Sequence, residues 1–380
     1  MIKILTVVGA RPQIIKAAAL SRAIKGSFSN SISEIILHTG QHYDQNMSQV
    51  FFDELGVPSP DYQLNTGSQS HGKQTAHMIT GIEEILLKER PDFLVVYGDT
   101  NSTLAGAIAA SKIHIPIAHI EAGLRSFNKS MPEEINRIMC DHASTLLFTP
   151  TRTGLANLER EGFLVNHLPP FSPDRPGVFH CGDIMLDNSL YFSSLASEKS
   201  SILSNEGLDP EKYLLVTIHR DNNTDDPARL TSIFEAIIQI TEEYQCQAVI
   251  PLHPRTSKKL PEVLPKALYE KIKGSKRIKL LPPASFFDMI VLEKSARIVL
   301  TDSGGVQKEA YFFNKPCIIA RSETEWVEII EHGTGILADA DTARITEAYK
   351  SLTQKKDLNF PPIFGDGRAA EFMCKNISNC

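Results

Sequence analysis

Residues 297–310 read Arg297-Ile298-Val299-Leu300-Thr301-Asp302-Ser303-Gly304-Gly305-Val306-Gln307-Lys308-Glu309-Ala310. The run from Arg297 to Thr301 is short, β-branched and aliphatic, as a strand buried on both faces of a parallel sheet would be. Two glycines then let the backbone turn sharply into a helix for which Ser303 is the candidate cap. Strand, glycine turn and helix form one unit, and its recurrence along the chain sets the fold class. Downstream, a strand is read at Cys317 to Ala320. Upstream, strands are read at Ile278 to Leu281, Ala248 to Pro251, Tyr213 to Ile218 and Val178 to Cys181. An earlier series runs Ile2 to Val8, Glu34 to His38, Phe93 to Tyr97, Pro116 to Ile120 and Leu146 to Phe148, with a helix at Thr151 to Gly162. Longer helix-period segments separate these strands, the pattern of an α/β protein with helices on both sheet faces.

A length of 380 residues exceeds what one hydrophobic core usually organises, so two domains are expected. Asn166 to Gly177 is too proline-rich for a helix or strand and is the candidate linker. The expected layout is two doubly wound Rossmann-like domains, residues 1–170 and 171–362, with an interdomain cleft at the carboxyl ends of both sheets. A last helix, Ala369 to Lys375 within residues 363–380, is expected to cross back onto the first domain.

A hydrophobic content of 42% with 22% charged residues belongs to a globular chain, not a disordered one. A formal net charge of −6 argues against a nucleic-acid partner, which would require a basic footprint. Six scattered cysteines include no C-x-x-C pair, so reduced thiols in the cytoplasm are expected, with no metal and no cofactor. Met1 to Gly9 lacks the basic region and cleavage site of a signal peptide and reads as a first strand. No apolar run approaches the roughly 20 residues of a membrane span, so no membrane partner is expected.

The unusual polar motifs fall just after strands. Gly9-Ala10-Arg11-Pro12-Gln13 puts a proline where a helix could begin, aiming Arg11 and free N–H groups at an anion; a plain turn with a solvent-facing arginine is the other reading. Ser303, Gly304 and Gly305 suit a nucleotide diphosphate, and Glu309, about a turn into the helix, suits ribose hydroxyls. Gly98-Asp99-Thr100, Glu121-Ala122-Gly123-Leu124-Arg125 and Pro132-Glu133-Glu134-Ile135-Asn136-Arg137 bring three acids to one domain. Converging carboxylates would repel and raise at least one pKa, as general acid–base work requires; helix capping is the alternative for Asp99 and Glu133. His219-Arg220 and His253-Pro254-Arg255 follow strands and suit a developing pyrophosphate charge. Arg321, after the last strand, could meet a base, a sugar or neither.

In their order along the chain these motifs, together with Arg321-x-x-Thr324-Glu325, resemble the non-hydrolysing UDP-N-acetylglucosamine 2-epimerases. The resemblance implies a glycosyltransferase-B-type fold, a UDP-sugar substrate, a homodimer and a place in surface polysaccharide synthesis. It makes Asp99, Glu121 and Glu133 the acid–base candidates, with His219 stabilising the departing UDP. Arg11, Lys16, Ser303, Gly304 and Gly305 become phosphate contacts and Glu309 the ribose ligand, while Arg137, Arg220, His253 and Arg321 are further binding candidates. Gln41, His42 and Gln45 resemble part of a regulatory UDP-sugar site. Ala10, Gln13, Asn222, Trp326 and Cys181-Gly182-Asp183 depart from the commonest pattern and look like the branch acting on UDP-2,3-diacetamido-2,3-dideoxy-glucuronate as well as some enzymes for the plain acetamido sugar. The resemblance therefore implies interconversion of UDP-GlcNAc and UDP-ManNAc, with the diacetamido-glucuronate nucleotide as the alternative substrate. A glycosyltransferase of the same fold would need at most one base, and a non-catalytic UDP-sugar sensor would need neither Asp99 nor Glu133.

Overall fold

The computed structural model describes residues 1–41, 56–67 and 69–380. In the first unit, Met1–Asn188 with Pro362–Cys380, seven parallel strands run in the order β3-β2-β1-β4-β5-β6-β7. They are β1 (Ile2–Val8), β2 (Ile32–His38), β3 (Tyr62–Gln63), β4 (Phe93–Tyr97), β5 (Ile117–Ile120), β6 (Leu146–Thr149) and β7 (Gly177–His180). Strands β4, β5 and β6 are buried at every position, which is why they read as near-continuous apolar runs, interrupted in β5 by His119, and not as alternating ones. The strand order reverses between β1 and β4, the switch point at which the loops following neighbouring strands diverge.

The second unit, Ser189–Pro361, repeats the design in a six-stranded parallel sheet of order β10-β9-β8-β11-β12-β13. Its strands are β8 (Tyr213–Thr217), β9 (Gln247–Pro251), β10 (Ile278–Leu281), β11 (Ile298–Thr301), β12 (Cys317–Ile319) and β13 (Gly335–Leu337). Its switch point lies between β8 and β11. Both units are doubly wound and Rossmann-like. No described helix is long and apolar enough to cross a membrane.

Two details correct the sequence reading. The segment read as the first strand of the second series is β7, which pairs with β6 in the first sheet, and Phe179 stacks on Phe148 at 5.5 Å. An unpaired edge of β6 would leave its N–H and C=O groups open, and β7 satisfies them. The proline-rich stretch is therefore a crossover within the first unit, and the units divide at Asn188, inside the helix Ile184–Lys199, rather than at residue 170. The short edge strands β3 and β13 escaped notice because two or three residues carry no readable period.

The C-terminal helix, Ala369–Ser378, packs on the helix Arg11–Ala23 through buried Ala370, Met373, Cys374 and Ile377. Asp187 fastens its start, accepting from Ala369 N at 3.1 Å and Ala370 N at 2.8 Å. Burial pushes the Asp187 carboxyl up to about 6, more strongly than those two N–H groups and Arg22 pull it down. The folded value then exceeds the roughly 3.9 of an unfolded aspartate, so the folded chain binds this proton more tightly. The stabilisation from that proton is complete below pH ~4 and is lost as pH rises through about 6. In thermal unfolding, D187N should therefore show a smaller gain between pH 7.5 and pH 5 than the wild type, by about 1.4 kcal/mol. Equal gains in the two proteins would show that Asp187 does not carry the effect.

Candidate functional site

In the first unit the site grows from the ends of two adjacent strands. After β4 the chain turns at Gly98 (φ 61) into Asp99 and Thr100, and Thr100 caps the helix Asn101–Lys112 by accepting from Thr103 N at 3.3 Å. After β5 it turns at Glu121, which stands at φ 72, and again at Gly123 at φ 78. A left-handed glutamate costs on the order of 1 kcal/mol or more. It is held there because Glu121 N and Ala122 N both donate to Phe148 O, at 3.1 and 3.0 Å. Glu121 Oε2 lies 2.8 Å from Lys16 Nζ, both nearly buried, with the lysine reaching across from the helix that follows β1. This pair lies against Gly98, where an added Cβ would stand 3.3 Å from Lys16 Nζ and 3.6 Å from Glu121 Oε1. Asp99 Oδ2 lies 2.6 Å from Arg137 Nη2, and Asn136 Nδ2 donates to Asp99 O at 2.8 Å.

Asp99 and Glu121 are thus each met by a cation of their own, which removes the mutual repulsion expected of converging acids. Glu133 differs from both. It is exposed in the first turn of the helix Pro132–Ala143, a favourable place for an acid, and forms no hydrogen bond or ion pair among the described residues. Its neighbour Glu134 is the buried one, accepting from Ser126 N, Ser126 Oγ and Phe127 N and pairing with Arg137 at 2.9 Å. Burial would raise the Glu134 carboxyl, but these donors outweigh it and hold it below its ordinary value. Arg11 opens the helix Arg11–Ala23 and is exposed. Gln13 ties that turn to β4, accepting from Gly9 N at 2.9 Å and donating to Tyr97 O at 3.0 Å.

In the second unit, fully buried Asp302 organises the loops. It accepts from His219 N at 3.1 Å, from Arg220 N at 3.0 Å and from Asn223 Nδ2 at 3.0 Å, and lies 3.5 Å from His219 Nδ1. The His219 and His253 rings stand 5.8 Å apart between centroids. Ser303 caps the helix Gly304–Phe312, accepting from Val306 N at 3.5 Å. A Cβ on Gly304 would meet Trp326 Nε1, Arg321 Nη1 and Glu325 Oε2 at 3.7 to 3.8 Å, so three polar groups stand close to the helix start. Arg321 is buried and bonded to Glu325 at 2.9 Å. Half-buried Glu309 lies near buried Glu293, whose carboxyl is pushed well up by burial and by the charge of Glu309.

The helix start with its glycines, the two histidines and Arg220 can receive a diphosphate. The paired carboxylates of the first unit can exchange protons. Gln41 is buried, and its Oε1 accepts from Ser102 N at 2.9 Å; His42 and Gln45 lie outside the described residues. The sequence reading missed Gln13, Asp302 as the anchor of His219, and a fully buried pair, His119 and Asp141, 2.8 Å apart behind the Gly98 turn. A histidine within the otherwise apolar run Ile117-Ala118-His119-Ile120 was the available signal for the last.

A family model described as UDP-N-acetylglucosamine 2-epimerase matches residues 26–378. The chain is 47% identical over 378 residues to a Methanococcus maripaludis protein named UDP-N-acetylglucosamine 2-epimerase homolog, covering 99% of each. It is 45% identical over 377 residues to the UDP-2,3-diacetamido-2,3-dideoxy-D-glucuronate 2-epimerase of Pseudomonas aeruginosa, covering 98% of this chain and 99% of that one. Among solved structures, that of the Methanocaldococcus jannaschii UDP-GlcNAc 2-epimerase in complex with UDP-GlcNAc and UDP matches with a TM-score of 0.85 and 40% identity over 100% of each chain.

Removing the cation from the Lys16–Glu121 pair strands a nearly buried carboxylate, at a cost of about 3–5 kcal/mol. K16M should therefore unfold at lower temperature than the wild type at pH 8. It should recover part of the deficit at pH 5, because the stranded Glu121 then takes up a proton. A deficit equal at both pH values would show that Glu121 does not depend on this lysine.

Proposed function

Because the chain belongs to the UDP-N-acetylglucosamine 2-epimerase family, we propose that it is an isomerase interconverting UDP-N-acetylglucosamine and UDP-N-acetylmannosamine without hydrolysis. The observation that carries this reading is the full-length likeness to an epimerase solved with UDP-GlcNAc and UDP. The C2 proton of an acetamido sugar is not acidic while C1 is an intact glycosyl phosphate. Breaking the C1–O bond sends its electron pair to the pyrophosphate and leaves positive charge at C1. A carboxylate can then take the C2 proton, forming the C1=C2 bond of a 2-acetamidoglucal. A proton delivered to the opposite face of C2, with attack of the pyrophosphate oxygen at C1, completes the inversion.

In this scheme the second unit holds UDP: Ser303, Gly304 and Gly305 at the helix start, His219, Arg220, His253 and Arg321 around the charge that develops, and Glu309 on the ribose. The first unit moves the proton through Asp99, Glu121 and Glu133, with Lys16 paired to Glu121, Arg137 paired to Asp99, and Arg11 and Lys16 the phosphate contacts of that unit. The pairing of Asp99 and Glu121 with separate cations supports two carboxylates of distinct roles. Gln41, His42 and Gln45 are assigned to a regulatory UDP-sugar site. A homodimer is supported by the exposed apolar side chains of Phe127, 74% accessible, and of Ile135 and Met139 one helical turn apart on the helix Pro132–Ala143. Six free cysteines, four of them buried, support a cytoplasmic enzyme, and its product suits surface polysaccharide synthesis.

Incubation with UDP-GlcNAc in deuterated water should give the manno epimer with deuterium at C2. Turnover of the diacetamido-glucuronate nucleotide alone would move the assignment to that branch, and net release of free UDP would mark a hydrolase. E121Q and D99N should each lower kcat by about 10²-fold or more while UDP binding stays within a few-fold. H219A should weaken both turnover and UDP binding. Unchanged turnover in E121Q would count decisively against the proposed proton transfer.

A further inference from the structure

We propose that His119 and Asp141 are positioning residues that lock the turn bearing Asp99 to the turn bearing Glu121; only the kinetic arm of the test rests on the epimerase reading. Both side chains are completely buried. His119 stands in the middle of β5, paired with Val96 of β4 on one side and Leu147 of β6 on the other. Its Nε2 lies 2.8 Å from the Gly98 carbonyl oxygen, the peptide that leads directly into Asp99. Its Nδ1 lies 2.8 Å from Asp141 Oδ1. The other carboxylate oxygen of Asp141 accepts from Gly123 N at 3.1 Å, two residues after Glu121, and meets Arg125 Nη1 at 2.7 Å. Arg125 in turn makes a two-pronged contact with Glu161, at 2.7 Å on each prong.

One continuous string therefore runs from the Gly98 peptide through His119 and Asp141 to the Gly123 peptide. Asp141 belongs to the helix Pro132–Ala143, which also supplies Asn136 and Arg137, the two groups that hold Asp99 from its other side. A carbonyl only accepts, so Nε2 carries a hydrogen. Burial would raise Asp141, but His119 and Arg125 hold its carboxyl below the ordinary value. Nδ1 faces Asp141 Oδ1 at hydrogen-bond distance.

Gly98 and Gly123 both stand at positive φ, so the dihedral menu alone leaves each peptide plane poorly fixed. The string fixes both planes at once, and with them the directions of the Asp99 and Glu121 side chains. Neither His119 nor Asp141 touches a reacting atom, and their effect passes through backbone. Misplacing a reacting group by about 1 Å costs on the order of 10²-fold in rate, so the consequence is catalytic.

The two conservative replacements of His119 divide the string. H119Q keeps a donor near the Nε2 position and can still bond Gly98 O; H119N keeps one near the Nδ1 position and can still bond Asp141. Amide hydrogen exchange and kinetics on the full-length protein read the outcome. H119N should loosen the Gly98–Asp99 turn, raising exchange there at least tenfold, and lower kcat by about 10²-fold while the KM for the UDP-sugar moves by less than about threefold. H119Q should keep the Gly98–Asp99 turn protected, loosen Gly123 and retain kcat within about tenfold of wild type. Exchange at Ser303 to Gly305 should change in neither. If one variant fails to fold, the exchange pattern of the other still decides. Unchanged exchange at both turns, or equal kcat loss in both variants, would overturn the proposal. Should the wild type not turn over either UDP-sugar, the epimerase reading falls while the exchange arm still tests the string.

Discussion

A parallel sheet ends in open backbone groups, because each strand leaves its last N–H donors pointing into the loop that follows. Where those loops must also present polar side chains, water cannot be relied on to satisfy them. In each unit of this protein a fully buried carboxylate meets that demand. Asp141 receives Gly123 N and ties the ends of β4 and β5 through His119. Asp302 receives His219 N and Arg220 N and ties the ends of β8 and β11. Burying an ionised group without partners costs far more than a domain can spare, so each of these aspartates is surrounded by donors. The turns that carry Asp99, Glu121 and His219 are tied to these two anchors.

The same economy of charge governs the site itself. The chain as a whole is acidic, yet an anionic ligand is expected, so positive potential has to be local. Lys16 and Arg137, each nearly buried, balance the charges of Glu121 and Asp99, so the acids of the first unit do not stand as an uncompensated negative cluster. Asp99 and Glu121 are each fixed in place by a cation of their own, whereas Glu133 stands exposed on the first turn of its helix. That difference in environment is the physical basis for giving the acids distinct roles.

The alternation of strand and helix was legible because parallel strands buried on both faces are largely apolar, and β4, β6, β8, β11 and β12 carry that mark most clearly. The edge strands β3 and β13 did not, since they are two and three residues long. The domain boundary was misplaced for a related reason. Proline marks an irregular segment, but whether that segment joins two strands of one sheet or two domains depends on which edge accepts the next strand. Asp99, Glu121, His219 and the Ser303 turn were recognisable from their position after strands. The pairing of His119 with Asp141 was not, because β5 and the far end of the helix Pro132–Ala143 are brought together only by the fold, although a histidine in an apolar run was itself a signal.

The sequence by itself determined the class of fold, the positions of the turns and the identity of the polar residues set on them. Hydrophobic runs and glycines act locally, and local preferences survive whatever the chain does elsewhere. Only the tertiary structure decided that β7 completes the first sheet, that Lys16 meets Glu121 and Arg137 meets Asp99, and that Glu134, not Glu133, is buried. Those outcomes depend on contacts between residues tens of positions apart, and a one-residue change of phase on a helix is enough to exchange the buried acid for the exposed one.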